Sequence, residues 1–161
     1  MQIIKDGKII DDDVRHLADD EAASGTRFTV SFKRWQAERE TLRAAGGGTV
    51  GIRLQGGDTL ADIAEDLPRL EPVVVEFPLL ADGRSFSLAR LLRERFGYRG
   101  EIRARGDFIR DQVYFLARVG VNAFEPAGDP DLNTLLPALN DFTVNYQAAA
   151  DSVEPVYRKR G

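Results

Sequence analysis

From residue 49 onward, short apolar runs alternate with stretches in which apolar residues recur every three or four positions. Residues 49–54, 73–77, 101–105 and 121–124 have the length and β-branched content of strands. Between them, Leu60, Ile63, Ala64 and Leu67 fall on one face at helical spacing. The same holds for Leu88, Leu91, Leu92 and Phe96, and again for Ile109, Val113, Leu116 and Ala117. Thr59 with Asp62 resembles a capping box, Ser87 and Asp107 stand where N-caps are expected, and Gly97 and Gly120 mark helix ends. Val73-Val74-Val75 is the continuous apolar run of a strand covered on both faces.

Upstream the pattern is less regular. Residues 2–5 and 8–11 read as two short strands around Asp6-Gly7, a pair suited to a type I′ turn. Residues 12–27 are polar and weakly periodic, so a loop is expected there. Phe28-Thr29-Val30 suggests a short strand, and Phe32, Trp35, Arg39 and Leu42 lie on one face of a helix that Gly46-Gly47-Gly48 would end. A short helix around 132–139 and a last strand over 142–146 complete the set.

Strands alternating with helices define an α/β fold, a mostly parallel sheet built from repeated strand–helix units with an N-terminal β-hairpin. The 161 residues suit a single domain: hairpin and loop over 1–27, strand–helix core over 28–147, tail over 148–161. Periodicity leaves an open sheet and a barrel-like curl equally allowed.

Composition narrows the chemistry. The chain has no cysteine, which excludes disulfides, a thiolate nucleophile and cysteine-held zinc or iron–sulfur clusters. His16 is the single histidine and stands among Asp11, Asp12, Asp13, Asp19 and Asp20, where a solvated side chain is expected. A metal site is therefore not expected. The net charge of −4 argues against nucleic acid, and no apolar run has the ~20 residues of a membrane span. The opening residues lack the basic and apolar segments of a signal peptide, so a cytoplasmic location is expected. Gly46-Gly47-Gly48 follows a helix and precedes a strand, the wrong order for a phosphate loop. No recognisable motif binds a cofactor.

In a parallel α/β sheet, ligands bind outside the carboxyl ends of the strands. The loops on that edge are 55–59, 77–87, 105–108 and 124–131. Arg84, Ser85, Ser87, Arg103, Arg105, Arg110 and Gln112 are the candidates there for gripping a small oxyanion or carboxylate, through guanidinium forks and helix-end N–H groups. Arg103 and Arg105 alternate and so share a strand face. The same arginines suit an internal network of ion pairs equally well. Asp82, Asp107 and Asp111 are the weaker candidates for acid–base catalysis, because Asp82-Gly83 is also an ordinary turn and Asp107 an ordinary cap.

The segments Phe77-Pro78, Asp82-Gly83-Arg84-Ser85-Phe86-Ser87, Ala89-Arg90-Leu91-Leu92-Arg93 and Gly97-Tyr98-Arg99-Gly100-Glu101 form a long motif. It continues through Arg103-Ala104, Gly106-Asp107, Arg110-Asp111-Gln112, Ala117-Arg118 and Ala123-Phe124, with Ile4-Lys5-Asp6-Gly7 before it and Asp141-Phe142 and Tyr146-Gln147 after. This pattern resembles the bacterial domain-of-unknown-function family 934. The resemblance implies a place in assimilatory sulfite reduction, since members are commonly encoded beside the sirohaem-containing sulfite or nitrite reductase and labelled oxidoreductases of that step. It brings no catalytic residues with it. Three roles follow as expectations: an accessory component acting with that reductase, an enzyme using carboxylates on an anionic substrate, or a structural subunit whose arginines fasten loops.

Overall fold

The structure, a computed structural model, describes residues 1–25, 27–45, 49–77, 83–107, 110–128 and 130–140. They form one eight-stranded sheet of order β2-β1-β8-β7-β6-β5-β4-β3. The strands are β1 (Gln2–Lys5), β2 (Lys8–Asp11), β3 (Arg15–His16), β4 (Arg27–Ser31), β5 (Thr49–Leu54), β6 (Leu70–Phe77), β7 (Ile102–Gly106) and β8 (Ala123–Pro126). β3 to β8 run parallel, while β1 is antiparallel to both β2 and β8. The fold is therefore α/β and mostly parallel, with the expected N-terminal hairpin. Asp6 and Gly7 both take positive φ at its turn, as type I′ geometry requires.

Consecutive parallel strands are neighbours from β3 to β8, so right-handed crossovers place every connection on the same face. The helices are α1 (Phe32–Ala45), α2 (Gly83–Glu94), α3 (Arg110–Arg118) and α4 (Leu136–Asn140). Trp35 and Leu42 of α1, Leu88 and Leu92 of α2, and Val113 and Leu116 of α3 meet Val30, Ile52, Val73, Val75, Ile102, Ala104 and Phe124 in one apolar core.

Where a helix over 60–67 is expected, two 3-10 turns occur instead, Leu60–Ile63 and Leu67–Arg69. Pro68 is the reason, since it has no N–H for the Ala64 carbonyl to accept and its ring would clash with that carbonyl in a continuous α-helix, whereas it fits the first turn of a new one. Leu60, Ile63 and Leu67 are buried all the same. Thr59 makes no side-chain cap bond. Ser87 lies within α2, which begins at Gly83, and is not its cap. Part of the expected 12–27 loop is β3. The strand expected at 121–124 lies two residues later, because Val121 and Asn122 complete the turn after Gly120, with Asn122 N–H donating to Ile102 O. Residues 46–48, the expected strand over 142–146 and the tail over 148–161 lie outside the described residues.

The sheet is strongly curled. Flat, the seven gaps between β2 and β3 would span about 34 Å at ~4.8 Å each. Yet only Asp12, Asp13 and Val14 connect them, a reach of about 14 Å at ~3.5 Å per residue. The two edges must approach each other, and the face without helices becomes an interior.

Candidate functional site: a polar interior opening at the carboxyl ends of the strands

Residues paired across neighbouring strands share a face. The chain of pairs His16–Thr29, Thr29–Gly51, Ser31–Arg53, Arg53–Val74, Val74–Arg103, Glu76–Arg105, Arg103–Ala123 and Arg105–Glu125 therefore lies on the side away from the helices. This face is charged where the other is apolar.

At its deep end Arg103 is fully buried, with 0% exposure. Its Nε donates to Glu101 at 2.7 Å, Nη1 to Glu125 Oε1 at 3.0 Å, and Nη1 and Nη2 to the two oxygens of Asp12 at 3.0 and 3.1 Å. Three carboxylates around one guanidinium need further cations. Lys5 Nζ lies 3.2 Å from Glu101, and Arg27 Nη1 lies 3.7 Å from Asp12. Burial by itself lowers the Arg103 pKa, but hydrogen bonds and charge from Asp12 and Glu101 outweigh it and raise the value. For Asp12, burial raises the pKa and Arg103 outweighs it, so the carboxyl is held below its usual value.

Toward the carboxyl ends, Arg105 donates Nε to Glu125 Oε2 at 3.1 Å and Nη1 to Glu76 Oε2 at 2.8 Å. Its side chain is 36% exposed. Arg53 lies deeper, donating Nη1 to Thr29 Oγ1 at 2.7 Å and Nη2 to Leu17 O at 2.7 Å, with Nε 3.8 Å from Glu76. Burial lowers the Arg53 pKa. The loop after β5 adds Asp58, whose carboxyl is raised by burial against a hydrogen bond from Gln55 N–H, the Glu76 charge adding to the rise.

His16 is not solvated, contrary to its sequence setting. Its side chain is 10% exposed, with Nδ1 2.8 Å from Thr29 Oγ1 and Nε2 3.0 Å from Glu125 Oε1. Its neighbours in sequence are acidic, but β3 turns it onto the interior face and the curl brings β8 opposite. Arg53 can only donate, so Thr29 Oγ1 accepts from it and its hydroxyl is free to donate to Nδ1; Nε2–H then donates to Glu125. Burial raises the Glu125 pKa, yet His16 and then Arg103 outweigh it and bring it down to about 2. Thr29, His16 and Glu125 have the composition of a nucleophilic triad but not its access. Thr29 is fully buried and its oxygen already accepts from Arg53.

Of the residues anticipated from sequence, the structure gathers Arg103, Arg105 and Ser85. Arg103 serves the deep ion cluster, Arg105 the mouth, and Ser85 Oγ donates to Glu76 O at 3.3 Å. Arg84 and Ser87 are exposed on α2; a Cβ on Gly57 would lie 3.7 Å from Arg84 Nη1, so Arg84 borders the loop after β5. Gln112 is half-buried on α3, and Asp107 is exposed at the end of β7. Asp82 lies outside the described residues, as do the side chains of Arg110 and Asp111. Sequence reasoning missed Asp12, His16, Thr29, Arg53, Glu76 and Glu125. A signal for three of them was present: Arg53, Glu76 and Glu125 are charged residues near the carboxyl ends of apolar strands, at the alternation that places them beside Arg105. Among the described residues, no group of His, Asp and Glu is placed to hold a metal ion.

The geometry defines a class, an α/β protein with a curled parallel sheet, helices outside and an ion-paired interior open at the carboxyl edge. The chain belongs to the family described as "Bacterial protein of unknown function (DUF934)", whose model matches residues 51–157. That span contains most of β5, all of β6 to β8 and α2 to α4, while Asp12, His16 and Thr29 lie before it. No curated protein matches the chain.

Proposed function

We propose that this protein is an accessory component of assimilatory sulfite reduction that acts with a sirohaem-dependent sulfite or nitrite reductase. It meets an anionic group of that system at the mouth of its polar interior. The pathway comes from the family resemblance. The observation that carries the recognition is Arg105, whose Nε and Nη1 are held by Glu125 and Glu76 while Nη2 has no hydrogen bond among the described residues. A guanidinium anchored on one edge and exposed on the other is pre-organised for a further carboxylate or oxyanion.

An accessory role is favoured over an enzyme carrying its own redox centre. The chain has no cysteine, and its single imidazole is engaged through both ring nitrogens. A haem or cluster would then sit on the partner. No helix of the described residues is long and apolar enough to cross a membrane, and the proposed site of action is the cytoplasm.

The test is capture of the sirohaem protein from cell extract by the tagged full chain, followed by its visible absorbance. Arg105→Ala should reduce capture about tenfold, since charged hydrogen bonds at interfaces contribute ~1.5–3 kcal/mol each. Arg103 and His16 still serve Glu125, so circular dichroism and thermal midpoint should change little. Equal capture by Arg105→Ala and the parent chain would remove Arg105 from the interface. No capture by either would remove the reductase as partner.

A further inference from the structure

The segment that joins the two edges of the sheet also covers its interior. Asp12 presents both carboxylate oxygens to Arg103 and receives Val14 N–H on Oδ2 at 3.1 Å. Two residues further, His16 bridges Thr29 and Glu125. Asp13 is tied at the surface to Arg27, 2.9 Å away. β3 pairs with β4 at two positions only, and Leu17, immediately after, is anchored in the apolar core. Val14 is buried but does not belong to that core. The segment is thus fastened mainly by charge along its length and by apolar packing at its downstream end.

The cost of breaking a buried ion pair comes largely from leaving one charge without a partner. Here the interior partners of the segment retain others. Arg103 keeps Glu101 and Glu125, Glu125 keeps Arg103 and Arg105, and Thr29 Oγ1 keeps Arg53. Lifting the segment therefore strands none of these groups, and the water that enters solvates the remainder.

We propose that residues 12–16 are an ionic strap that opens as a local unit, with the sheet still folded, and admits solvent to the polar interior beside Arg103. The strap is independent of the sulfite-reduction reading.

The absence of cysteine makes a thiol reporter unambiguous. Val74 and Val75 are both fully buried in β6, but Val74 pairs with Arg53 and Arg103 on the interior face whereas Val75 packs in the helix-covered core. Val74→Cys and Val75→Cys are each reacted with an aromatic disulfide reagent in the full chain. With the native strap, Val74→Cys should react at a rate independent of dilute urea, while Val75→Cys should follow the urea dependence of global unfolding. Adding Asp12→Asn removes a contact that both the open and the unfolded states lack, so it should accelerate both cysteines about tenfold while Val74→Cys keeps its independence of urea. Equal urea slopes for the two cysteines overturn the proposal, as does no acceleration of Val74→Cys. If Asp12→Asn does not fold, the urea comparison with the native strap decides the matter.

Discussion

Glu125 is bonded by His16, Arg103 and Arg105, and the first two hold its carboxyl down at about 2 against an ordinary value of 4.5 despite burial. A depressed carboxyl contributes stability that is fully present above its unfolded pKa and is lost as pH falls through the folded one. For Glu125 that window runs from about 4.5 down to about 2, and the shift corresponds to about 3 kcal/mol. Glu125→Gln should lose stability of that order at pH 7 and show a shallower loss on acidification through the window, as measured by urea unfolding at a series of pH values. Arg103→Met should cost more, about 3–5 kcal/mol, because Asp12, Glu101 and Glu125 then face one another with less compensation. A chemical-denaturation midpoint close to that of the parent chain would show that the cluster is hydrated. Arg105 and Arg103 were both visible as alternating arginines, but alternation could not say that one is sealed and the other half exposed. Burial depends on the curl and on Asp12, which is distant in sequence.

At the scale of elements, β7 ends at Gly106, where φ is +127° and a Cβ would collide with the Phe77 carbonyl oxygen. This glycine lets β7 leave the sheet beside β6 and accepts Ala127 N–H on its own carbonyl at 2.7 Å. Gly106→Ala should lower stability by about 1–3 kcal/mol, the range for a residue forced into a sparsely populated backbone region, and a thermal melt measures it. On the outer face, Trp35 Nε1 donates to buried Asp66 at 2.9 Å. Trp35→Phe keeps the ring packing and removes that bond, at an expected cost of about 1.5–3 kcal/mol for a hydrogen bond to a charged acceptor, read by circular dichroism in urea. The strand–helix rhythm from residue 49 was legible because each element buries one face at its own period. The 3-10 turns departed from it through Pro68. β8 departed by two residues, a slip that preserves faces but left Glu125 outside the expected strand.

Across the whole molecule, one sheet carries two cores of opposite character, apolar under the helices and ionic inside the curl. Trp35, the single tryptophan, reports on the apolar core, while far-ultraviolet dichroism reports on the sheet and helices together. A single domain predicts coincident urea transitions by the two probes. Two resolved transitions would divide the N-terminal segment from the rest.

The sequence alone determined the α/β class, the parallel pairing, the N-terminal hairpin and the helix-covered faces. These follow from local periods and turn residues, which need no knowledge of distant partners. Only the tertiary structure decided that the sheet curls until three residues join its edges, that His16 meets Glu125 across the interior, and that Asp12 seals Arg103. Those contacts join residues as far apart as 91 and 109 positions, and they arise from the summed twist of many strands rather than from any one segment.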